Sequence, residues 1–159
     1  MTSESLKPEK IIVVAGPNMS ELVAAVKPHA SVVQSVRDGT AGALRVAMPA
    51  LKSFRGDVLV ILGDAPLVTA KTLQKLIDTR HEDAGISVLG AEVCCADGLG
   101  RMIVNDDGTL VKIVEHKDAS AQEREVNLAN AGGFCIDGSK LRGWLQQVQN
   151  KNAAKEYYI

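Results

Sequence analysis

Residues 57–69 read DVLVILGDAPLVT, and the change of character within this segment limits the possible folds more than any other feature of the chain. An apolar run rich in β-branched residues is typical of a buried strand. The run ends on Gly63 and Asp64 and continues through Pro66. A carboxylate directly after a buried strand is costly unless solvent or a ligand meets it there. The segment therefore predicts a strand over 57–62 that brings Asp64 to the edge of a sheet.

Strands and helices alternate along the first half of the chain. Short β-branched runs predict the strands, and apolar residues at helical spacing predict the helices, one of which Pro49 must kink. Because the alternation has the spacing of βαβ units, the strands of this half should be parallel. The predicted elements cover 10–16, 21–27, 30–34, 40–54, 57–62 and 69–80.

The second half has shorter connections and more turn residues. It predicts a hairpin whose two-residue turn is Asp107-Gly108, because this dipeptide suits a tight turn between strands. Further strands are expected over 86–93, 101–105, 111–115 and 131–137, and a last helix over 138–150. The whole chain, residues 1–159, is therefore expected to form one α/β domain with a mixed sheet.

Composition excludes several classes of function. The 159 residues are 46% hydrophobic and carry a net charge of −1, so no basic excess suggests nucleic acid as a partner. No apolar run approaches the length of a membrane span, and MTSESLKPEK is no secretion signal, so we expect a cytoplasmic protein without a membrane partner. The three cysteines lack the spacing of a zinc or redox site, and we expect Cys94, Cys95 and Cys135 to be buried packing residues.

The carboxyl ends of the predicted strands gather the candidate binding residues. Ligands of doubly wound sheets bind at this edge, which would bring Asp64 near Gln34 and the Gly39-Thr40 pair. Asp64 could hold Mg²⁺, a cation that takes carboxylate and phosphate oxygens together; alternatively, it caps the loop or helix after Pro66. The amides at Gly39-Thr40 could meet an anion or a carbonyl, and the alternative is a plain helix N-cap by Thr40.

Two further positions are ambiguous on sequence alone. His116 lies between Glu115 and Lys117, which resembles an acid–base group but also an ordinary solvated strand end. Asn130 precedes Ala131-Gly132-Gly133, and asparagine with glycine is common in turns.

Several longer segments occur in a characteristic order, namely LGDAPL, GLGRMIVNDDGTLVKIVEHKDAS, NAG, LRGWL and EYYI. Together they resemble the uridyltransferase (pyrophosphorylase) domain of the bacterial bifunctional N-acetylglucosamine-1-phosphate uridyltransferase/glucosamine-1-phosphate acetyltransferase. The resemblance covers nearly the whole chain, and IVEHKDAS with EYYI is its most specific part. It implies a Rossmann-like nucleotide-diphospho-sugar transferase fold with a mixed, mainly parallel sheet.

The resemblance also implies a reaction and a set of residues. UTP and N-acetylglucosamine 1-phosphate would give UDP-N-acetylglucosamine, a peptidoglycan precursor, and pyrophosphate, with Mg²⁺ as cofactor. Position by position, it implies that Asp64 is the Mg²⁺ ligand. The positions implied to bind substrate are Leu62 and Gly63 for the nucleotide sugar, Gln34, Gly39 and Thr40 for uracil, and Gly100, Glu115 and Asn130 for N-acetylglucosamine.

The sequence departs from this family in one large respect. No segment matches the family's first strand and glycine-rich loop, LAAG-x-G-(T/S)-R-M, so no catalytic residue is assigned and we expect a domain truncated at both ends with weak or no turnover. Because the missing strand is central in this fold, we expect a rearranged sheet or a partner strand, with homo-oligomers forming through exposed strand edges. Leu62, Gly42 and Leu99 also replace the tyrosine, histidine and tyrosine usual in the family.

Three functions compete at this point. The chain is a uridyltransferase domain, a non-catalytic module that binds a nucleotide sugar or a partner chain, or a nucleotidyltransferase of another substrate class, such as a thymidylyl- or molybdopterin-type enzyme. IVEHKDAS and EYYI speak against the third.

Overall fold

The computed structural model describes residues 2–52, 54–81 and 85–159. Within it the chain divides into two compact units. We call Met1–Gly56 with Gly138–Ile159 the terminal unit, and Asp57–Asp137 the central unit. The expectation of one domain over 1–159 stays a prediction.

The helices and strands follow the expected order, and most bounds lie within two residues of the predicted ones. The strands are β1 (Ile12–Ala15), β2 (Ala30–Val33), β3 (Asp57–Ile61), β4 (Ile86–Glu92), β5 (Arg101–Val104), β6 (Leu110–Val114) and β7 (Leu128–Asp137). The α-helices are α1 (Ser20–Ala25), α2 (Thr40–Ala47), α3 (Ala70–His81), α4 (Ala121–Arg124) and α5 (Gly138–Gln147), and 3-10 helices cover Thr2–Leu6 and Met48–Leu51. The short helix α4 was not predicted.

The terminal unit contains the parallel pair β1–β2, in register from Ile12 opposite Ala30 to Ala15 opposite Val33. Helix α1 connects the two strands, as the strand–helix alternation predicted. The helix expected over 40–54 is α2 followed by a 3-10 helix, because Pro49 lacks an amide hydrogen and ends the α-helical pattern. Residue 53 of that prediction lies outside the described residues.

The central unit is built around β7. Strand β3 pairs antiparallel with β7 from Asp57 opposite Asp137 to Ile61 opposite Gly133, and β4 pairs antiparallel with β7 as well. Strands β3 and β4 therefore run in the same direction, and α3 connects them as in a βαβ unit, but β7 lies between them. Leu73 and Leu76 of α3 are buried, as the helical spacing predicted.

The α/β class with a mixed sheet is confirmed, but the proportion of parallel pairing differs from the expectation. Only β1–β2 is parallel, whereas β3–β7, β4–β7, β5–β6 and β5–β7 are antiparallel. The expectation of a mainly parallel sheet was wrong because a crossover helix fixes the direction of two strands and not which strands are neighbours. The described strands form a two-stranded and a five-stranded sheet, and β1 and β3 belong to different sheets.

Two local predictions are also corrected. The β5–β6 hairpin is confirmed, but Asn105 pairs with Thr109 through a 2.9 Å bond, so the loop has three residues and Gly108 takes its left-handed position (φ 82°). Of the cysteines, only Cys135 is buried; Cys94 and Cys95 are exposed in the segment that follows β4. Their position after the end of a strand explains why the expectation of buried packing was wrong.

Candidate functional site

The end of β3 forms a tight turn that presents Asp64. Ala65 N–H donates to the Leu62 carbonyl at 3.3 Å, so Leu62 to Ala65 form one turn with Gly63 and Asp64 at its centre. Both central residues are exposed. The sequence prediction that β3 delivers a carboxylate to an accessible position is therefore confirmed.

Thr69, and not Asp64, caps the helix that follows. Its hydroxyl accepts the Thr72 N–H at 3.2 Å, and its carbonyl accepts the Leu73 N–H at 3.1 Å. The helix-capping alternative for Asp64 is excluded, which leaves an accessible carboxylate beyond the end of the strand.

A β-bulge in β7 determines the position of Asn130. Leu89 of β4 lies opposite Gly133, but the next residue, Gly90, lies opposite Asn130, so Ala131 and Gly132 are two extra residues in β7. Gly132 has φ +71°, and its N–H donates to Asn130 Oδ1 at 3.0 Å. The side-chain NH₂ group of Asn130 then remains to donate to a ligand. The expected turn chemistry of asparagine with glycine is present, since the Asn130 side chain accepts the amide hydrogen two residues on, but it lies inside strand β7. Bulges commonly reorient side chains beside functional sites.

Three of the residues expected to bind sugar lie together in the central unit. Asn130 N–H donates to the Gly100 carbonyl at 2.8 Å. A Cβ on Gly100 would lie 3.0 Å from Glu115 Oε1, so a larger residue would press on this carboxylate. Leu62 joins the group because a Cβ on Gly132 would lie 2.9 Å from its Cγ. Residues from four separate segments therefore meet next to the turn that carries Asp64.

Arg101 is a buried cation beside this group, and sequence reasoning missed it. Its side chain is 1% exposed, and Nη1 donates to the Leu99 carbonyl at 2.6 Å and to His116 Nδ1 at 2.9 Å. His116 is half-buried, so it is neither a plainly solvated residue nor, in this arrangement, a partner of Lys117. The only signal in the sequence was an arginine next to a glycine at the start of a strand.

The terminal unit holds the three positions expected to bind uracil. Gln34 follows β2, and its Nε2 donates to Asp38 Oδ1 at 2.9 Å and to the Gly39 carbonyl at 3.1 Å. These two bonds fix the amide orientation and leave Oε1 as the atom that can accept an N–H from a ligand. A Cβ on Gly42 would overlap Asp38 Oδ1, so any side chain at position 42 would displace this carboxylate and disturb its bond to Gln34.

The start of α2 contacts the last residues of the chain. Gly39, with φ +104°, is the N-cap residue, and the Ala41 N–H donates to the Tyr157 carbonyl at 2.9 Å. Tyr157 N–H donates to the Asp38 carbonyl at 2.7 Å, and Ile159 N–H donates to Thr40 Oγ1 at 3.2 Å. The N-cap interpretation of Thr40 was wrong, because Gly39 is the N-cap residue. The expected contact of the Gly39 and Thr40 amides with an anion or a carbonyl stays a prediction, since the amide that meets the Tyr157 carbonyl is that of Ala41.

Arg45 of α2 supports the contact between the start of α2 and Tyr157. Its guanidinium carbon lies 4.2 Å from the centre of the Tyr157 ring, and Nη2 donates to the Leu145 and Val148 carbonyls at 2.7 and 3.0 Å. We call residues 155–159 the C-terminal strap. Nothing in the sequence beyond EYYI indicated it.

The described residues contain neither a metal-binding cluster of acidic, histidine or cysteine side chains nor a membrane-spanning helix. No group of three or more His, Cys, Asp or Glu side chains in that part of the chain could hold a metal ion by itself. Among the described helices none combines the length and the apolar character needed to cross a bilayer.

Solved structures with the same fold are nucleotidyltransferases. A putative glucose-1-phosphate thymidylyltransferase from Bacillus anthracis superposes with a TM-score of 0.75 at 17% identity, over 97% of this chain and 61% of that one. An apo-UDP-glucose pyrophosphorylase gives a TM-score of 0.73 at 13% identity, over 98% of this chain and 68% of that one. The fold is therefore the Rossmann-like α/β fold of the nucleotidyltransferase class.

The sequence places the chain more closely. Residues 2–111 match the family model of the MobA-like NTP transferase domain, and the chain belongs to this family. It is 42% identical over 151 residues to the bifunctional protein GlmU of Gluconobacter oxydans, covering 95% of this chain and 33% of that protein. It is 39% identical over 160 residues to GlmU of Paramagnetospirillum magneticum, covering 99% and 35%. The chain thus spans about a third of the length of these curated relatives.

Proposed function

We propose that this chain is a uridyltransferase-type nucleotide-sugar pyrophosphorylase domain that acts in the cytoplasm. The substrates would be UTP and N-acetylglucosamine 1-phosphate, and the products UDP-N-acetylglucosamine and pyrophosphate. The observation that carries the proposal is the meeting of Gly100, Glu115 and Asn130 in the central unit, at the distances given above. The similarity to GlmU proteins over nearly all of this chain supports the same conclusion.

Asn130, Glu115 and Gly100 each have a role that suits an amino sugar. The Asn130 NH₂ group can donate to a hydroxyl or an acetamido carbonyl, because its own Oδ1 already accepts from Gly132. The Glu115 carboxylate can accept from sugar hydroxyls, and the missing side chain of Gly100 lets the sugar approach the backbone. Leu62 and Gly63 would border the nucleotide sugar.

The uracil ring would be read in the terminal unit. Its N3–H is a donor, and Gln34 Oε1 is an acceptor whose orientation is fixed by Asp38 and Gly39. The backbone at Gly39 and Thr40 would contact the same base.

Asp64 suits Mg²⁺ of the kind that is shared with substrate phosphates. The described residues place no acidic cluster around this accessible carboxylate. One carboxylate is too little for an all-protein cage, but it is what Mg²⁺ needs when phosphates and water complete its octahedron. When bound, such an ion neutralises phosphate charge and orients the reacting groups. Asp64 would hold it, while the residues above bind and orient the substrates.

We expect binding without efficient turnover. Transfer of a nucleotidyl group depends on positioning and charge neutralisation, and no segment of the sequence matches the glycine-rich loop that would surround the triphosphate. UDP-N-acetylglucosamine should bind in the millimolar to high micromolar range, about −4 to −6 kcal/mol.

Calorimetry and a pyrophosphate-release assay test this proposal. Protein with UTP, N-acetylglucosamine 1-phosphate and Mg²⁺ should release no pyrophosphate above background, and Mg²⁺ should raise the affinity for UTP in the wild type but not in Asp64→Asn. Asp78→Asn, an exposed change on α3, is the matched control. Turnover that Asp64→Asn abolishes would prove the expectation of inactivity wrong, and absence of any binding would refute the proposed function.

The second candidate is a non-catalytic module that binds a nucleotide sugar or a partner chain. Binding of UDP-N-acetylglucosamine that is independent of Mg²⁺ and of Asp64 would favour it. Sedimentation at several concentrations would test the expected homo-oligomer, which should grow with concentration if strand edges pair.

A further inference from the structure

We propose that Arg101 is a positioning residue for the sugar-binding group of the central unit, acting through the Leu99 carbonyl and the His116 ring. The inference deepens the proposed function and rests on it for the identity of the ligand. The geometry that supports it involves only residues of the central unit.

One nitrogen atom of Arg101 connects two of the segments that carry the proposed sugar contacts. Nη1 carries two hydrogens, and they are directed at the Leu99 carbonyl (2.6 Å) and at His116 Nδ1 (2.9 Å). Leu99 directly precedes Gly100, and His116 directly follows Glu115. A change in the position of this guanidinium would therefore displace the Gly100 backbone and the Glu115 segment together.

The third contact follows from the first. The Gly100 carbonyl accepts the Asn130 N–H at 2.8 Å, so a fixed Leu99–Gly100 segment also fixes the start of the bulge in β7. Arg101 thereby connects all three proposed sugar contacts without touching the sugar itself, since its side chain is 1% exposed.

Packing alone does not explain a charge at this position. Asp97 Oδ1 lies 3.7 Å from Nη2 and belongs to a side chain that is 80% exposed, so this carboxylate neutralises the charge weakly. Nε is buried and has no hydrogen-bond partner among the described residues. Because an apolar side chain of similar length would avoid this desolvation, the guanidinium is better explained by the two acceptors it holds in place.

The bond to His116 also fixes the state of the imidazole. A neutral ring that accepts at Nδ1 carries its hydrogen on Nε2. Asparagine at this position can present an oxygen near the place of Nδ1, whereas leucine cannot accept at all. The pair His116→Asn and His116→Leu therefore separates the acceptor from the bulk of the ring.

Titrations of the full chain with UDP-N-acetylglucosamine and with UDP test the role. His116→Leu should weaken binding of UDP-N-acetylglucosamine about tenfold, the effect of losing one hydrogen bond to a charged group, and change the affinity for UDP less than about twofold. His116→Asn should keep most of the affinity for the sugar nucleotide. Lys117→Leu, a neighbouring exposed change, is the matched control and should leave both affinities as they are.

Amide hydrogen exchange at Asn130 provides a readout that needs no ligand. His116→Leu should accelerate this exchange, and His116→Asn should not. Equal losses for UDP and UDP-N-acetylglucosamine, or wild-type affinity in His116→Leu, would overturn the inference. A wild type that binds both ligands equally would refute the proposed sugar site instead, and the exchange rates at Asn130 would then decide on the positioning role alone.

Discussion

The two groups of proposed binding residues are held in place by different means. In the central unit, Asn130 owes its position to the bulge in β7, the strand at the middle of the sheet. The buried guanidinium of Arg101 supports the neighbouring Leu99–Gly100 segment. In the terminal unit, the Gly39-Thr40 pair is held by hydrogen bonds to the C-terminal strap. The first arrangement belongs to the core, whereas the second depends on a few contacts near the surface. We therefore expect mutations of the first group to affect folding and mutations of the second to affect mainly local order.

The largest expected effect concerns the core of the central unit. Cys135 is fully buried in β7, and burial, with a smaller contribution from the Asp57 carboxylate, raises the pKa of its thiol to about 11. At pH 8 a thiol reagent should modify the exposed Cys94 and Cys95 at once and Cys135 at least about a thousand times more slowly. The double variant Cys94→Ser/Cys95→Ser isolates the slow thiol.

The same thiol tests whether the two units unfold together. Trp144, the one tryptophan of the chain, lies on α5 in the terminal unit and reports unfolding by fluorescence. If the chain is one domain, Cys135 should become reactive at the urea concentration at which Trp144 fluorescence changes. Reactivity at a lower concentration would show that the central unit opens alone and that the single-domain prediction is wrong.

The next largest effect is expected at the bulge. Gly132→Ala places a Cβ at φ +71° and against Leu62, so it should lower the free energy of unfolding by about 2–3 kcal/mol. Gly143→Ala on α5, where a Cβ would meet nothing within 4 Å, is the control and should raise stability by up to about 1 kcal/mol. Urea unfolding measures both. If Gly132→Ala were as stable as the wild type, the bulge would tolerate a side chain. The expected difference between the core of the central unit and the C-terminal strap would then be wrong.

A smaller effect is expected at the strap. Arg45→Met removes the contact with the Tyr157 ring and the two hydrogen bonds to the carbonyls at the end of α5. It should lower the free energy of unfolding by about 1–3 kcal/mol. Exchange of the Ala41 amide hydrogen should become faster, because its acceptor is the Tyr157 carbonyl. Arg142→Met, an exposed change on α5, is the control. If both variants behave alike, the strap does not hold the start of α2.

The smallest effect concerns pH and a surface contact of the central unit. The Lys112 ammonium, together with Ser120, lowers the pKa of Glu123 to about 2. Because the folded-state pKa lies below the ordinary 4.5, this contribution is fully present above that pH and is lost progressively as the pH falls toward 2. Glu123→Gln, which keeps the capping geometry, should be slightly less stable than the wild type at pH 7 and equal to it near pH 2. Glu125→Gln is the control, and an equal difference at both pH values would contradict the assignment.

Local patterns were sufficient to predict most elements but not their neighbours. β-branched runs mark β1 and β3, and helical spacing marks α3, because both signals depend on residues close in sequence. The insertion of β7 between β3 and β4 depends on long-range pairing, such as Asp57 opposite Asp137 and Ile86 opposite Ile136, which no local pattern records. For this reason the sheet was expected to be mainly parallel.

The candidate site shows the same limit. Asp64 could be placed from its own strand, since the end of an apolar run is a local signal. The His116 bond of Arg101 and the Tyr157 contact of Arg45 join different segments of the chain, so they were visible only in the structure. The EYYI segment carried a family resemblance but no indication of what it touches.

The two extra residues of β7 also govern which changes of length this protein can accept. Ala131 and Gly132 separate Asn130 from Phe134, Cys135 and Ile136, which fill the interior of the central unit. Loss of a single residue here would turn every side chain downstream to the opposite side of the sheet, so that the small thiol would have to occupy the space of a phenyl ring. The residue count of this stretch is therefore constrained as well as its residue types, since one deletion would disturb ligand recognition and the hydrophobic interior at once.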